Sequence, residues 1–255
     1  MPTRTPEGDI MSRTDDLDRL YGLLDQLEDR LGGKRRLKNC TGRMNWPEHG
    51  VYFFFSPGEI RARASGEQLR VTRVGTHAVS EGSSQTLWDR LKQHYGTGSR
   101  SADHPHGGDQ RGSVFRREVG RALIARHDLS DQYPEWDLRR IKSSDRERDV
   151  IRDEEYPLER WVSTYIRELP FLWVTVDDEP GKHSERAVIE RNALGLLSNL
   201  ERPALDPRPD WWLGTDSQQQ KIRQSGLWNV RDVEVEYDPE FLDLLERRID
   251  ETEPL

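Results

Sequence analysis

The sequence is poor in cysteine, in long apolar runs and in the short motifs that mark the commonest hydrolases. Its single cysteine, Cys40, cannot form a disulfide within the chain. The amino terminus carries neither the apolar run of a signal peptide nor a twin-arginine export pattern. The expected compartment is therefore a reducing cytoplasm, with Cys40 an ordinary thiol and not a nucleophile. No stretch approaches the roughly 18 to 20 apolar residues of a membrane-spanning helix, so no membrane association is expected. The absence of a Gly-x-Ser-x-Gly elbow and of a glycine-rich phosphate loop argues against a serine hydrolase and a nucleotide-binding protein. His94, His104 and His106 are the obvious zinc candidates, but neither a cysteine pair nor a His-Glu-x-x-His helix accompanies them.

Apolar residues are scarce too, at 33% against 34% charged. That balance predicts a thin core with extended solvated segments, while eight tryptophans argue for a folded chain. The length, 255 residues, suits one large domain or a catalytic domain with a sizeable insertion. A net charge of -8 would oppose nucleic-acid binding if it were spread evenly. It is concentrated: Val230–Leu255 holds ten acids and three arginines, a net -7, leaving -1 for the rest. Between Gly50 and His127, twelve Lys and Arg face seven acids, a net +5, and five of the seven histidines lie there. Local potential decides attraction for phosphate, and this segment has it.

Residues 1–45 form the first expected unit. Leu17, Leu20, Tyr21, Leu24, Leu27 and Leu31 recur at three and four, which predicts an amphipathic helix from about Thr14 to the Gly32–Gly33 pair. Its stripe can dock on a sheet or pair with a second copy in a homodimer. The KRRLK run that follows suits a solvated linker or a phosphate contact.

Residues 46–205 form the second unit. GVYFFF, bounded by Gly50 and by Ser56-Pro57-Gly58, predicts a strand with Tyr52 and Phe54 on one face and Val51, Phe53 and Phe55 on the other. LRVTRV supplies its antiparallel partner. A helix from about Ser84 to Gly96 turns Leu87, Trp88, Leu91 and Tyr95 inward and sets Arg90 and His94, four apart, on the flank of that stripe. An insertion over about 96–168 opens with a loop rich in Gly, Ser and His. It continues as a helix capped by Ser113, with Phe115, Val119 and Leu123 inward and Arg116, Arg117, Arg121 and Arg126 outward. DRERDVIRDEE reads as an exposed face or linker, followed by a helix opened by Pro157. PFLWVTVDD is a third strand, apolar enough for burial on both faces. A helix capped by Ser184 turns Ile189, Ala193, Leu196, Leu197 and Leu200 inward, with Glu190 at the edge. Residues 206–255 form an extension that closes in an acidic helix from about Pro239 to Ile249. The fold class is α/β, more closely α+β: a small mixed three-stranded sheet flanked by helices, with a helical insertion and helical extensions at both ends.

The order strand, strand, helix, insertion, strand, helix, with Gly50-Val51-Tyr52 opening the first strand and Arg73-Val74-Gly75 closing the second, resembles the GIY-YIG nuclease superfamily. The helix bearing Arg90 and His94 resembles that family's arginine helix, including the histidine of its restriction-enzyme branch. Glu190 is similar to its single metal-binding glutamate. The likeness rests on residues 50–95 and 170–200, and the order of the motifs carries it.

The resemblance implies a divalent-metal-dependent DNA endonuclease that hydrolyses a phosphodiester bond with one magnesium or manganese ion. Glu190 would hold the metal, since a hard ion that keeps several waters needs only one or two protein oxygens. Arg90 would stabilise charge on the phosphoryl group, and Tyr52 or His94 would help activate water. Tyr52, Arg73, Arg90 and His94 then form the catalytic set, with His77, Asn199, Arg116, Arg117 and Arg121 as contacts to DNA. Arg73 stands where the family has its second tyrosine. Either a tyrosine role is lost, or Arg73 contacts phosphate while His77 or His94 takes over proton transfer. The family's terminal asparagine has two candidates, Asn192 and Asn199. The alternative function is a catalytically inactive DNA-binding or assembly protein that retains the fold, and a third is a protein-interaction module built on the leucine-striped helix and acidic tail. The active reading requires Tyr52, Arg90, His94 and Glu190 to converge on one groove.

Overall fold

The aromatic run from Tyr52 to Phe55 lies in the strand on which the rest of the chain is assembled. The computed structural model describes residues 6–61, 67–96, 105–138 and 146–254. In chain order these form α1 (Pro6–Leu31), β1 (Arg35–Arg36), β2 (Gly50–Ile60), β3 (Leu69–Gly75), α2 (Leu87–Tyr95), α3 (Val114–His127), α4 (Arg148–Glu168), β4 (Pro170–Thr175), α5 (Glu185–Leu197), α6 (Gln220–Ser225) and α7 (Phe241–Asp250). The sheet runs β1-β4-β2-β3, and every pairing is antiparallel. It therefore has four strands where three are expected, and it is antiparallel where a mixed sheet is expected. The added strand is two residues of the KRRLK run, Arg35 against Phe171 and Arg36 against Pro170, too short for any alternation to signal it. No helix among the described residues is long and apolar enough to cross a membrane.

Strand β2 is paired on both sides, and Val51 to Phe55 are each 2% exposed or less. The expected alternation is present on one face: Tyr52 and Phe54 meet His94, and Phe54 also meets Phe115. Helix α1 packs on β4, α5 and α7. Its leucines are covered within the chain, and the Tyr21 hydroxyl accepts the Val71 N–H at 2.9 Å. The leucine stripe thus docks internally and presents no face for a homodimer. The helix also begins at Pro6, earlier than the leucine repeat reveals.

Two expectations about the insertion are overturned. Pro157 lies inside α4 and does not open it, because Ile151, Leu158, Val162 and Ile166 continue one buried face through the proline. From Arg148 on, the charged segment read as an exposed face or linker belongs to that helix. The arginines of α3 are not a free basic face either. Arg116 has no exposure and donates to the Glu159 carboxylate at 3.0 Å, to the His94 carbonyl at 3.0 Å and to Ser163 Oγ at 2.9 Å. Arg117 is buried beside Glu118. Arg121 pairs with Glu118 and Asp137, and Arg126 with Asp216. Helical spacing alone points these side chains outward, but α4 supplies Glu155 and Glu159 as buried acids, and Arg111 and Arg116 neutralise them.

The carboxy-terminal extension is built into the sheet edge. Beside β3, the Trp228 N–H donates to the Thr72 carbonyl at 2.8 Å, and Asn229 bonds both the N–H and the carbonyl of Val74. Residues 228 and 229 thereby pair part of a strand edge that would otherwise invite another chain. The buried Arg116–Glu159 pair sets a stability test. Arg116→Ala leaves a buried carboxylate unpaired and should cost about 3–5 kcal/mol in urea unfolding; a cost below about 1 kcal/mol would contradict the described packing.

Candidate active site

The first signature residue is held by the second. Tyr52 lies opposite Gly75 in the β2–β3 register, and a Cβ at position 75 would sit 2.3 Å from the Tyr52 Oη. Glycine is therefore the side chain that lets the phenol cross β3. The Tyr52 Oη is 2.8 Å from His94 Nε2, and His94 Nδ1 is 2.8 Å from Ser113 Oγ. Tyr52 and His94 have no exposed surface. His94 is thus inward and not on the flank of the stripe, because α3 covers that flank with Phe115, 5.5 Å away ring to ring. Thr86 and Asp89 form a capping box at the start of α2, and left-handed Gly96 ends the helix, which fixes where His94 falls.

Arg73, the residue in the tyrosine position, shares this cluster. It pairs across the sheet with Phe54, stacks over the Phe115 ring at 4.7 Å and donates to the Trp228 carbonyl at 3.2 Å. Its Nε has no hydrogen-bond partner. Burial pulls its pKa down, while Tyr52 and Glu190 favour its charge and Arg90 opposes it. Burial likewise holds His94 well below the usual imidazole range, reinforced by Arg90, Arg73 and Arg116, so its ring is neutral.

Glu190 and Arg90 form the more open side of the arrangement, each partly exposed. Burial raises the Glu190 carboxyl to about 7; Arg73 works against that rise, Asp232 adds to it, and Arg90 and the Thr76 N–H oppose it. The carboxylate is therefore an electrostatic neighbour of both arginines and of the end of β3. Arg90 Nη1 donates to Gln93 Oε1 at 2.7 Å on the exposed side of α2.

The remaining expected contacts to DNA lie elsewhere or are occupied. His77 is buried against His49, with ring centroids 5.7 Å apart, and its Nε2 is 3.2 Å from the Glu48 carbonyl. Burial first, then Arg186, lowers it to about 4. Asn199 donates to the Asp206 carbonyl and accepts from the Leu205 N–H, while Asn192 bonds Val188 and Asp238. Both asparagines are thus engaged in holding backbone. Of the zinc candidates, His94 uses both nitrogens and His106 meets Arg167, while His104 lies outside the described residues. Trp228 and Asp232 join the site without any advance signal, and Phe115 is legible only as an inward-facing helix residue. Ser113 is legible in the sequence only as a helix cap.

With this geometry in view, a family model described as GIY-YIG domain matches residues 11–255. The match spans nearly the whole chain, and the protein belongs to the GIY-YIG domain family. No curated protein and no solved structure matches it.

The raised Glu190 carboxyl sets a pH test. The folded state holds this proton more tightly than an unfolded chain does, so its contribution to stability is complete below about pH 4.5 and is lost as pH rises through about 7. Glu190→Gln removes the titration. In chelator, urea unfolding at several pH values should show the variant gaining on the wild type between pH 5 and 8; a difference independent of pH would contradict the burial of this carboxyl.

Proposed function

We propose that this protein is a divalent-metal-dependent DNA endonuclease of the GIY-YIG type, hydrolysing a phosphodiester bond. The observation that carries the reading is the Tyr52–His94 pair packed beside Arg73, with Glu190 and Arg90 coupled to the same cluster. Family membership supports the nuclease class, and the side chains suit the chemistry.

The donor set fits a hard, hydrated ion. Among the described residues no group of three or more His, Cys, Asp or Glu could hold a metal, which disfavours a fully protein-ligated ion such as structural zinc. A lone carboxylate whose charge is penalised by burial suits magnesium or manganese, which keep most of their waters. Glu190 would hold that ion, and when bound it supplies stabilisation of charge on the leaving oxygen. The chain's own groups do the rest. Arg90, a partly exposed cation, neutralises charge on the phosphoryl oxygens. Arg73 compensates for the missing tyrosine as a fixed cation next to Tyr52. Tyr52 would take a proton from the attacking water as its own hydroxyl proton passes to the neutral His94 ring 2.8 Å away, which also holds the phenol in place.

One observation favours the alternative, an inactive DNA-binding protein that retains the fold: Tyr52 and His94 have no exposure and Arg73 only 5%, so in this conformation the proton-transfer groups do not reach solvent. Cleavage of plasmid and oligonucleotide DNA separates the two. The endonuclease should nick DNA with magnesium or manganese and stop with chelator; Tyr52→Phe should lose about 10²–10⁴-fold in rate, and Glu190→Gln should lose cleavage while remaining folded. A wild type that cleaves nothing, yet binds duplex DNA with log affinity falling by about 0.9 per phosphate contact with log salt, would establish the binding protein instead.

A further inference from the structure

We infer that Asp232, in the carboxy-terminal extension, supplies a second carboxylate to the cation that Glu190 holds. The inference deepens the nuclease reading and rests on it for the presence of the ion. Its basis is the path of the extension. Beside β3, the Trp228 N–H donates to the Thr72 carbonyl and the Asn229 side chain brackets Val74, so the two segments run in parallel. Continued in that register, residues 231 and 232 arrive at the end of β3, just past Gly75. Asp232 then takes a left-handed conformation, with φ at 58°, and the chain passes onto α5. There the Val235 carbonyl lies against Gly195, where a Cβ would meet it at 2.8 Å, and Arg202 donates to the same carbonyl at 2.9 Å. Val233, between the two anchors, has no exposure.

Glu190 comes to the same place from α5: its carboxylate faces the Thr76 N–H, one residue past β3, and feels Asp232 as a like charge. Two carboxylates from separate elements therefore meet at the end of β3, next to Arg73 and Arg90. The Asp232 carboxylate has neither a hydrogen-bond partner nor an ion-pair partner among the described residues. Other acids of the extension are engaged: Glu234 pairs with Lys221, and Asp243 and Glu246 pair with Arg19. Glu190 and Asp232 are both partly exposed, so a hydrated ion reaches them. Magnesium and manganese keep several waters and take one or two carboxylates, and these two residues make up that number. The second anionic oxygen offsets the ion's remaining charge, which leaves Arg90 available to the phosphoryl group.

The probe is Mn²⁺ bound to the full chain in the presence of a phosphorothioate duplex, followed by electron paramagnetic resonance. Asp232→Asn and Asp232→Gly remove the carboxylate, and both replacements accept a left-handed backbone, so the turn is kept. Each should weaken Mn²⁺ binding by at least about 10-fold, the lower end of what even an outer-shell partner of a bound metal contributes. Glu236→Gln, which removes an exposed acid farther along the same segment, should leave binding unchanged and controls for loss of acidic charge as such. With ¹³C in the aspartate carboxyls, electron–nuclear double resonance of the bound Mn²⁺ should show a ¹³C coupling that disappears in Asp232→Asn. Binding that needs Glu190 but is undiminished in Asp232→Asn overturns the inference alone, and so does absence of the ¹³C coupling. A wild type that binds the ion through both carboxylates yet cleaves no DNA overturns the nuclease reading alone. A wild type that binds no ion overturns both.

Discussion

A phenol and an imidazole held 2.8 Å apart, with no exposed surface on either, form the contact around which the other elements are placed. To bring Tyr52 there, β3 must carry glycine at position 75, since any Cβ would strike the ring. To bring His94 there, α2 must start at Thr86 and end at Gly96, and α3 must close over the imidazole with Ser113 and Phe115. A buried polar pair of this kind is stable only when fully hydrogen-bonded, so the insertion that supplies Ser113 is part of the site and not an ornament on it.

The same requirement explains how a chain with a third of its residues charged folds at all. Charged side chains enter the interior in pairs: Arg70 with Glu59 between β2 and β3, Arg61 with Asp206, and Arg116 with Glu159 between α3 and α4. Such pairs contribute little net stability compared with apolar packing, but removing one partner is costly. Four tryptophans, Trp136, Trp173, Trp212 and Trp228, supply the large apolar surfaces, and Trp212 and Trp228 pack together at 5.1 Å. The acidic helix α7 is drawn onto α1 partly by Arg19, which reaches Asp243 and Glu246.

Much of this was legible in the sequence. Strands β2 and β3, helices α2, α3 and α5 and the caps at Ser113 and Ser184 follow from alternation, helical periodicity and turn chemistry, all of which act over a few residues. What escaped depends on distant partners. Arg116 and Arg117 look solvent-facing until Glu159 and Glu118 are seen beside them. The start of α4 is masked because its buried acids, Glu155 and Glu159, sit in a segment of alternating charge. His94 looks peripheral on its own helix and is buried by another. Asn199 is one of two candidates for the terminal asparagine, yet its amide is consumed by Asp206 and Leu205. At the site, Glu190 and Arg90 were legible as edge residues, whereas Asp232 arrives from the extension at a left-handed backbone position that no local pattern announces.

The central proposal is that one carboxylate on α5 and a buried tyrosine–histidine pair together make a site for a single hard cation and a phosphodiester. It is tested most directly by titrating Mn²⁺ into the full chain and following the electron paramagnetic resonance signal, in the presence of a duplex whose phosphorothioate linkages resist cleavage. The account predicts one ion bound per chain in the wild type and loss of that binding in Glu190→Gln. No bound ion, or binding undiminished by Glu190→Gln, would contradict it.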